Sequence, residues 1–315
     1  KTALENLEII RKIDPNYTNA YKNLAIIYEK MGKCDEALRY NNKLINLNPK
    51  DKTILHNLSI ILNKYCPKII YPELSENILK ILETAGVCRP SSIIKPIFLA
   101  LFKESNFNEI LKNNNNITQE NYKIFCMELL NNQIFMKFLE LCPIPFLKIE
   151  ILLTNIRKQI LMNIDDSENN STLLKFQIVL ALQSHTNEYI YQKDENETII
   201  LEELEKNLYN SSLQNNILNA NKLACLASYK SLNDISWLDL NLVPKELDLI
   251  IKRNIIEIKK EEQIKHKIKS LNTIQNHTSK KVKELYEKHP YPRWLKTQCF
   301  SKPVKLKELI FQLKL

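Results

Sequence analysis

Two clusters of polar and aromatic residues carry the potential of this chain for chemistry. The first is Asn187-Glu188-Tyr189, in which a carboxylate stands between an amide and a phenol. A Glu in such company could serve as a general base. The same side chains could instead cap a helix end and bridge neighbouring helices, with the Tyr ring filling a gap between them. We expect the structural role, and the sequence gives no residue a catalytic assignment.

The second cluster lies near the C-terminus, in the sequence YEKHPYPRW at residues 286–294. Pro290 and Pro292 each fix their own φ and push the preceding residue out of the helical region, which predicts an extended segment. This segment could be a lid over a ligand site or a joint that packs one domain against another. The side chains that would carry either role are Tyr286, Tyr291, Arg293 and Trp294.

Composition limits the kinds of site that the chain can hold. It has two glycines, Gly32 and Gly86, so no glycine-rich phosphate loop is possible and a complete Rossmann-type cofactor site is excluded. The seven cysteines include no C-x-x-C pair, and the five histidines do not pair with them at zinc-ligand spacing. We therefore expect no cofactor or metal in this chain, and a reduced, cytoplasmic protein.

The basic charge is concentrated in the C-terminal arm. The net charge is +9, and residues 279–315 contain ten Lys or Arg against three Asp or Glu. This arm has no recognisable DNA- or RNA-binding motif, so we interpret it as a solvated linker and expect no nucleic-acid partner. No run of 18 apolar residues is present, which argues against a membrane-spanning helix.

The N-terminal part repeats itself every 34 residues. Ala3 precedes Ala37 by that interval, and Pro15 likewise precedes Pro49. The spacing is that of a tetratricopeptide repeat, in which small residues let two antiparallel helices approach and Pro ends the second one. Asn41 departs from the pattern, which usually has an aromatic there. We predict one full repeat at residues 18–51, with partial repeats on either side, within a repeat domain of residues 1–66. The residues that match the repeat pattern are Tyr21, Leu24, Ala25, Tyr28, Gly32, Ala37, Leu44 and Pro49.

Such repeats usually present a concave surface formed by the first helix of each pair, which we call the repeat groove. It would bind a peptide or a partner protein, or it would be the solvated face of a structural spacer. The register of the repeat assigns to this groove Asn19, Lys22, Ile26, Glu29, Lys30, His56, Ile60 and Lys64.

The remainder of the chain is predicted to be helical. Apolar residues recur at i, i+3, i+4 and i+7 in segments separated by polar or proline-containing breaks, with no run of alternating strands. The predicted fold is therefore all-α, with a helical domain at residues 67–272 and a basic arm at residues 273–315.

Several motifs resemble one family. These motifs are the helix at residues 176–183 followed by Asn187-Glu188-Tyr189, the PYPRW sequence at residues 290–294, a helix containing Arg157, and the patch around Tyr229. Together they resemble the region that precedes the catalytic domain in bacterial tetratricopeptide-repeat proteins fused to class I S-adenosylmethionine-dependent methyltransferases. The resemblance implies that this chain is a non-catalytic part of such an enzyme. S-adenosylmethionine would then bind to a methyltransferase domain that follows in cis, and the helices would position the acceptor or a partner protein. The alternative is a stand-alone repeat scaffold without enzymatic activity.

Overall fold

A computed structural model describes residues 2–103, 105–167, 170–265, 267–268, 276–288, 293 and 295–297. All regular secondary structure in these residues is helical, and they contain no strand. The predicted all-α fold is therefore confirmed. The described residues form two compact units, one of residues 2–101 with Lys296 and Thr297, the other of residues 102–103, 105–167, 170–265, 267–268, 276–288, 293 and 295.

The first unit is built from consecutive helical hairpins. Its helices are α1 (Thr2–Ile13), α2 (Thr18–Lys30), α3 (Cys34–Leu47), α4 (Lys52–Lys64), α5 (Pro72–Glu83), a 3-10 turn (Pro90–Ile93) and α6 (Ile94–Lys103), most of which belongs to it. Helices α2 and α4 begin 34 residues apart, the interval found in the sequence. Ala20 and Ala37 are fully buried where α2 packs on α3. Their small side chains allow the two helices to approach closely.

Local signals set the ends of these helices. Gly32 follows α2 with φ +73°, a left-handed conformation that favours glycine, and the Lys33 N–H donates to the Tyr28 carbonyl at 2.9 Å. Asp51 caps α4 by accepting a hydrogen bond from the Thr53 N–H at 2.8 Å.

The first unit extends beyond residue 66, where the repeats were predicted to end. Buried side chains join α3 to α5 and to the residue before it. Asn77 donates from Nδ2 to Asn42 Oδ1 at 2.8 Å, and Asn42 donates from its own Nδ2 to the Tyr71 hydroxyl at 2.6 Å. Part of the predicted helical domain at residues 67–272 therefore packs with the repeat helices in one unit.

The second unit surrounds one buried helix, α11, whose side chains are covered on nearly all sides. This helix packs against α8, α9, α13 and α14, and even its polar residues Gln177 and Gln183 are fully buried. The helices of this unit are α7 (Ser105–Lys112), α8 (Tyr122–Asn131), α9 (Gln133–Leu141), α10 (Leu147–Met162), α11 (Ser171–Thr186), α12 (Glu195–Leu213), α13 (Ala220–Ala227), α14 (Asp248–Ile251), α15 (Glu257–Lys265) and α16 (His277–Lys288). Its shorter 3-10 turns are Asn114–Asn116, Asp165–Ser167, Leu232–Asp234, Leu240–Leu242 and Lys245–Leu247, and a π-helical turn at Lys252–Ile256 joins α14 to α15.

Candidate functional site

The repeat groove is present in the first unit as an open cavity with a volume of about 460 Å³. Five of the residues that the sequence assigned to it line it, namely Asn19, Lys22, Ile26 and Glu29 of α2 and Ile60 of α4. They share a face because positions three, four or seven apart on a helix point in nearly the same direction.

The lining of the repeat groove combines apolar side chains with amides and hydroxyls. The branched apolar side chains come from three helices, with Ile26 on α2, Leu44 on α3 and Ile60 on α4. The apolar lining residues are Ala25, Ile26, Leu44, Ile54, Ile60 and Ile61, and the polar ones include Thr18, Asn19, Asn41, Asn48, Thr53 and Asn57. Such a surface can bury apolar side chains while offering both donors and acceptors.

Asn41 is one of the lining residues that sequence reasoning missed. It stands where the repeat pattern usually has an aromatic, and its Nδ2 donates to the Ala37 carbonyl at 2.9 Å within α3. An amide is smaller than an aromatic ring, so Asn41 takes up less of the groove than the usual residue would. Asn57 could also have been found from the sequence, since it stands three residues before Ile60 on α4.

Charges in the repeat groove are few. Glu29 forms an ion pair with Lys64 that joins α2 to α4 at 3.7 Å, although both side chains are well exposed and the pair contributes little. Lys22 lines the groove and makes no ion pair with any residue that the structure describes.

Three residues assigned to the groove do not line it. His56 is half-buried, and its Nδ1 lies 2.9 Å from the Val87 carbonyl oxygen, so its ring packs towards the loop after α5. Lys30 lies on the exposed surface of α2, and Lys64 reaches the groove only through its ion pair with Glu29.

The second unit brings together the two clusters from which the sequence analysis began. Glu188, Tyr189, Tyr286 and Arg293 all line one open cavity of about 660 Å³, which we call the arm cavity. Tyr291 and Trp294, the other aromatic residues of the C-terminal cluster, lie outside the described residues.

The backbone at the end of α11 is strained. Glu188 and Tyr189 have φ of +58° and +56°, a left-handed conformation that is unusual for two consecutive residues with long side chains. The Tyr189 N–H donates to the Ser184 carbonyl at 2.8 Å, and the Asn187 N–H donates to the Gln183 carbonyl at 3.0 Å. These bonds close the last turn of α11 and direct the Glu188 and Tyr189 side chains into the arm cavity.

Glu188 and Arg293 form an ion pair across 105 residues of sequence, between Oε1 of the carboxylate and Nε of the guanidinium. Both side chains are largely buried, with 9% and 13% of their area exposed. Arg293 also lies 3.9 Å from the Glu261 carboxylate, through its Nη1 atom. Arg293 is thereby held at the end of α11.

Two titratable groups near this ion pair, His185 and Tyr189, are held uncharged. Burial lowers the pKa of His185 to about 3, and the Arg293 and Arg253 charges act in the same direction. Burial likewise raises the pKa of the Tyr189 phenol well above its usual value, and its hydroxyl donates to Asn254 Oδ1 at 2.8 Å. His185 is therefore neutral and Tyr189 protonated near pH 7.

The described residues contain no group of three or more His, Cys, Asp or Glu side chains that could hold a metal ion. None of the helices in the described ranges is long and apolar enough to cross a membrane.

No protein-family model, curated protein or solved structure matches this chain.

Proposed function

We propose that this chain is a protein-binding module whose repeat groove holds an extended segment of a partner protein. The observation that carries the proposal is the composition of the groove, in which six apolar side chains line the same surface as amides of α2, α3 and α4. Asn19, Asn41 and Asn57 offer carbonyl and N–H groups that suit the backbone of an extended peptide. Ile26, Leu44 and the other apolar residues would receive one of every two side chains of that peptide.

The size of the groove agrees with this occupant. Its volume of about 460 Å³ lies within the range of roughly 300–1,000 Å³ that is usual for ligand sites. The weak formal charge of its lining favours a segment with apolar anchors over a highly charged one.

A selection from a displayed library of random 12-residue peptides tests this proposal. The full 315-residue chain would be immobilised and the enriched peptides sequenced. We expect a converging set with apolar residues at alternate positions. A selection that yields no shared pattern after repeated rounds would contradict peptide binding.

We further propose that the module belongs to a cytoplasmic methyltransferase of the family that its motifs resemble, with the repeat groove and helices positioning the acceptor or a partner. The contact between Glu188 and Arg293 supports this second proposal. It joins the two motifs that carry the resemblance most specifically, which suggests that they belong to one working unit.

S-adenosylmethionine does not fit the residues of this chain. Gly32 ends a helix, Gly86 stands alone in another left-handed turn, and neither belongs to a glycine-rich loop that a nucleoside cofactor could approach. In this proposal the methyl transfer takes place in a further domain.

The gene sequence beyond Leu315 tests the methyltransferase proposal. We expect a hydrophobic strand and a glycine-rich turn within roughly 30 residues, about the length of one βαβ unit. Calorimetry of the present chain with S-adenosylmethionine should show no saturable heat. A stop codon shortly after Leu315, or low-micromolar binding by this chain, would contradict the proposal.

A further inference from the structure

The arm cavity has properties that peptide binding in the repeat groove does not use. Its volume of about 660 Å³ is ample for a small organic group. Its lining includes two aromatic rings, those of Tyr189 and Tyr286, and the carboxylates of Asp234, Glu261 and Glu262.

The charges that line the cavity do not balance. Lys230 is neutralised by Glu205, whose two carboxylate oxygens both lie 3.0 Å from its Nζ, and Lys265 is neutralised by Glu287 at 2.7 Å. Arg293 is paired with Glu188. The carboxylates of Asp234 and Glu262 remain, and neither makes an ion pair with a residue in the described part of the chain.

The cavity already holds one cationic group of the type that its wall would attract. The Arg293 guanidinium lies against the buried Glu188 carboxylate, with Glu261 3.9 Å away. The Glu188 side of the cavity therefore already binds a planar cation of the chain itself. Among the described residues, the cavity volume and the two remaining carboxylates leave space and charge for a second cation.

We propose that the arm cavity binds an alkylammonium or guanidinium group beside Arg293, between the Tyr286 ring and the carboxylates of Asp234 and Glu262. Tyr286 is 62% exposed and lines the cavity, so its ring can contact a cation that enters there. The two carboxylates supply the charge that attracts the cation into the cavity.

Calorimetry at low ionic strength with matched probes tests this site, because exposed carboxylates act most strongly when salt does not screen them. The probes are Nα-acetyl-arginine methylamide and its uncharged near-isostere Nα-acetyl-citrulline methylamide, together with butylguanidinium, which has the single charge of the arginine compound without its peptide groups. We expect the citrulline compound to bind at least about tenfold more weakly than the arginine compound. Tighter binding of butylguanidinium would identify a small free cation as the ligand, and tighter binding of the arginine compound a polypeptide side chain.

Variants locate the binding. Asp234→Asn combined with Glu262→Gln should weaken binding of the arginine compound at least about tenfold, and Tyr286→Leu should weaken it severalfold. The matched control is Glu202→Gln with Glu203→Gln, which removes two exposed carboxylates of α12 that do not line the cavity. Equal binding of the two acetylated probes, absence of saturable binding, or the same loss in the control variant would overturn the proposal. Circular dichroism would verify that each variant is folded.

Discussion

Arg157 lies over the ring of Tyr229, with its guanidinium carbon 4.0 Å from the ring centroid. The guanidinium also donates to the carbonyls of Gln192 at 2.6 Å, Tyr191 at 3.3 Å and Ser228 at 3.4 Å. Arg157 is almost completely buried. One side chain of α10 therefore fixes both the chain that follows the end of α11 and the chain that follows α13.

Replacing Arg157 should destabilise the second unit strongly. Arg157→Met would leave three carbonyls without a donor, and we expect the free energy of unfolding to fall by about 3 kcal/mol or more. Arg157→Lys should also be destabilising, because an ammonium cannot reproduce the planar fork of a guanidinium. Urea unfolding followed by circular dichroism measures both. Lys148→Ala, which alters an exposed residue of the same helix, is the control, and a similar loss in it would contradict this account.

The ion pair between Glu188 and Arg293 should appear as a coupling energy. We expect Glu188→Gln and Arg293→Gln to be non-additive by about 1 kcal/mol or more in a double-mutant cycle, since both side chains are largely buried. Thermal and urea unfolding of the four proteins supply the values. Additivity within about 0.3 kcal/mol would mean that the two side chains do not stabilise one another.

The lowered pKa of His185 predicts that the protein loses stability in acid. Its pKa is lowered from 6.5 to about 3 by burial, with Arg293 and Arg253 contributing. Between these two values the unfolded chain binds a proton that the native protein does not, so native stability falls as the pH falls through this window. The slope has an upper limit of about 1.4 kcal/mol per pH unit. His185→Gln should flatten the stability profile between pH 6.5 and pH 4, and a profile unchanged by this variant would refute the assignment.

The buried amide pair in the first unit predicts that α5 stabilises the repeat helices. Asn77→Ala leaves Asn42 Oδ1 without its donor, and we expect a loss of about 1–3 kcal/mol in the unfolding of this unit. Asn63→Ala, at an exposed position of α4, serves as the control. If the two variants unfold alike, the hydrogen bonds between α3 and α5 contribute nothing measurable.

Local patterns in the sequence predicted much of the first unit. The 34-residue interval placed α2 and α4, because contacts between neighbouring helices in a repeat depend on residues close in sequence. The same register failed to place His56, whose ring is positioned by the Val87 carbonyl 31 residues away. A helical pattern identifies a face of the helix, but the partner of each side chain depends on what packs there.

The second unit shows why its site could not be predicted in the same way. Glu188 and Arg293 were each noted from their motifs, but nothing in the sequence indicates that they meet. Arg157 likewise acts on carbonyls that carry no sequence signal, because any residue supplies one. Contacts of this kind follow from the packing of whole helices rather than from periodicity.

The most direct test of the central proposal is the affinity of a library-selected peptide for the intact chain and two variants, measured by fluorescence anisotropy. Ile26→Glu places a charge in the lining of the repeat groove, and because Ile26 is 41% exposed the substitution should leave the fold intact. Ile69→Glu is the matched control in the same unit, at a position that is 66% exposed and does not line the groove. We predict that Ile26→Glu weakens binding about tenfold or more while Ile69→Glu leaves it unchanged. Equal affinities for all three proteins would show that the peptide binds elsewhere and would contradict the account.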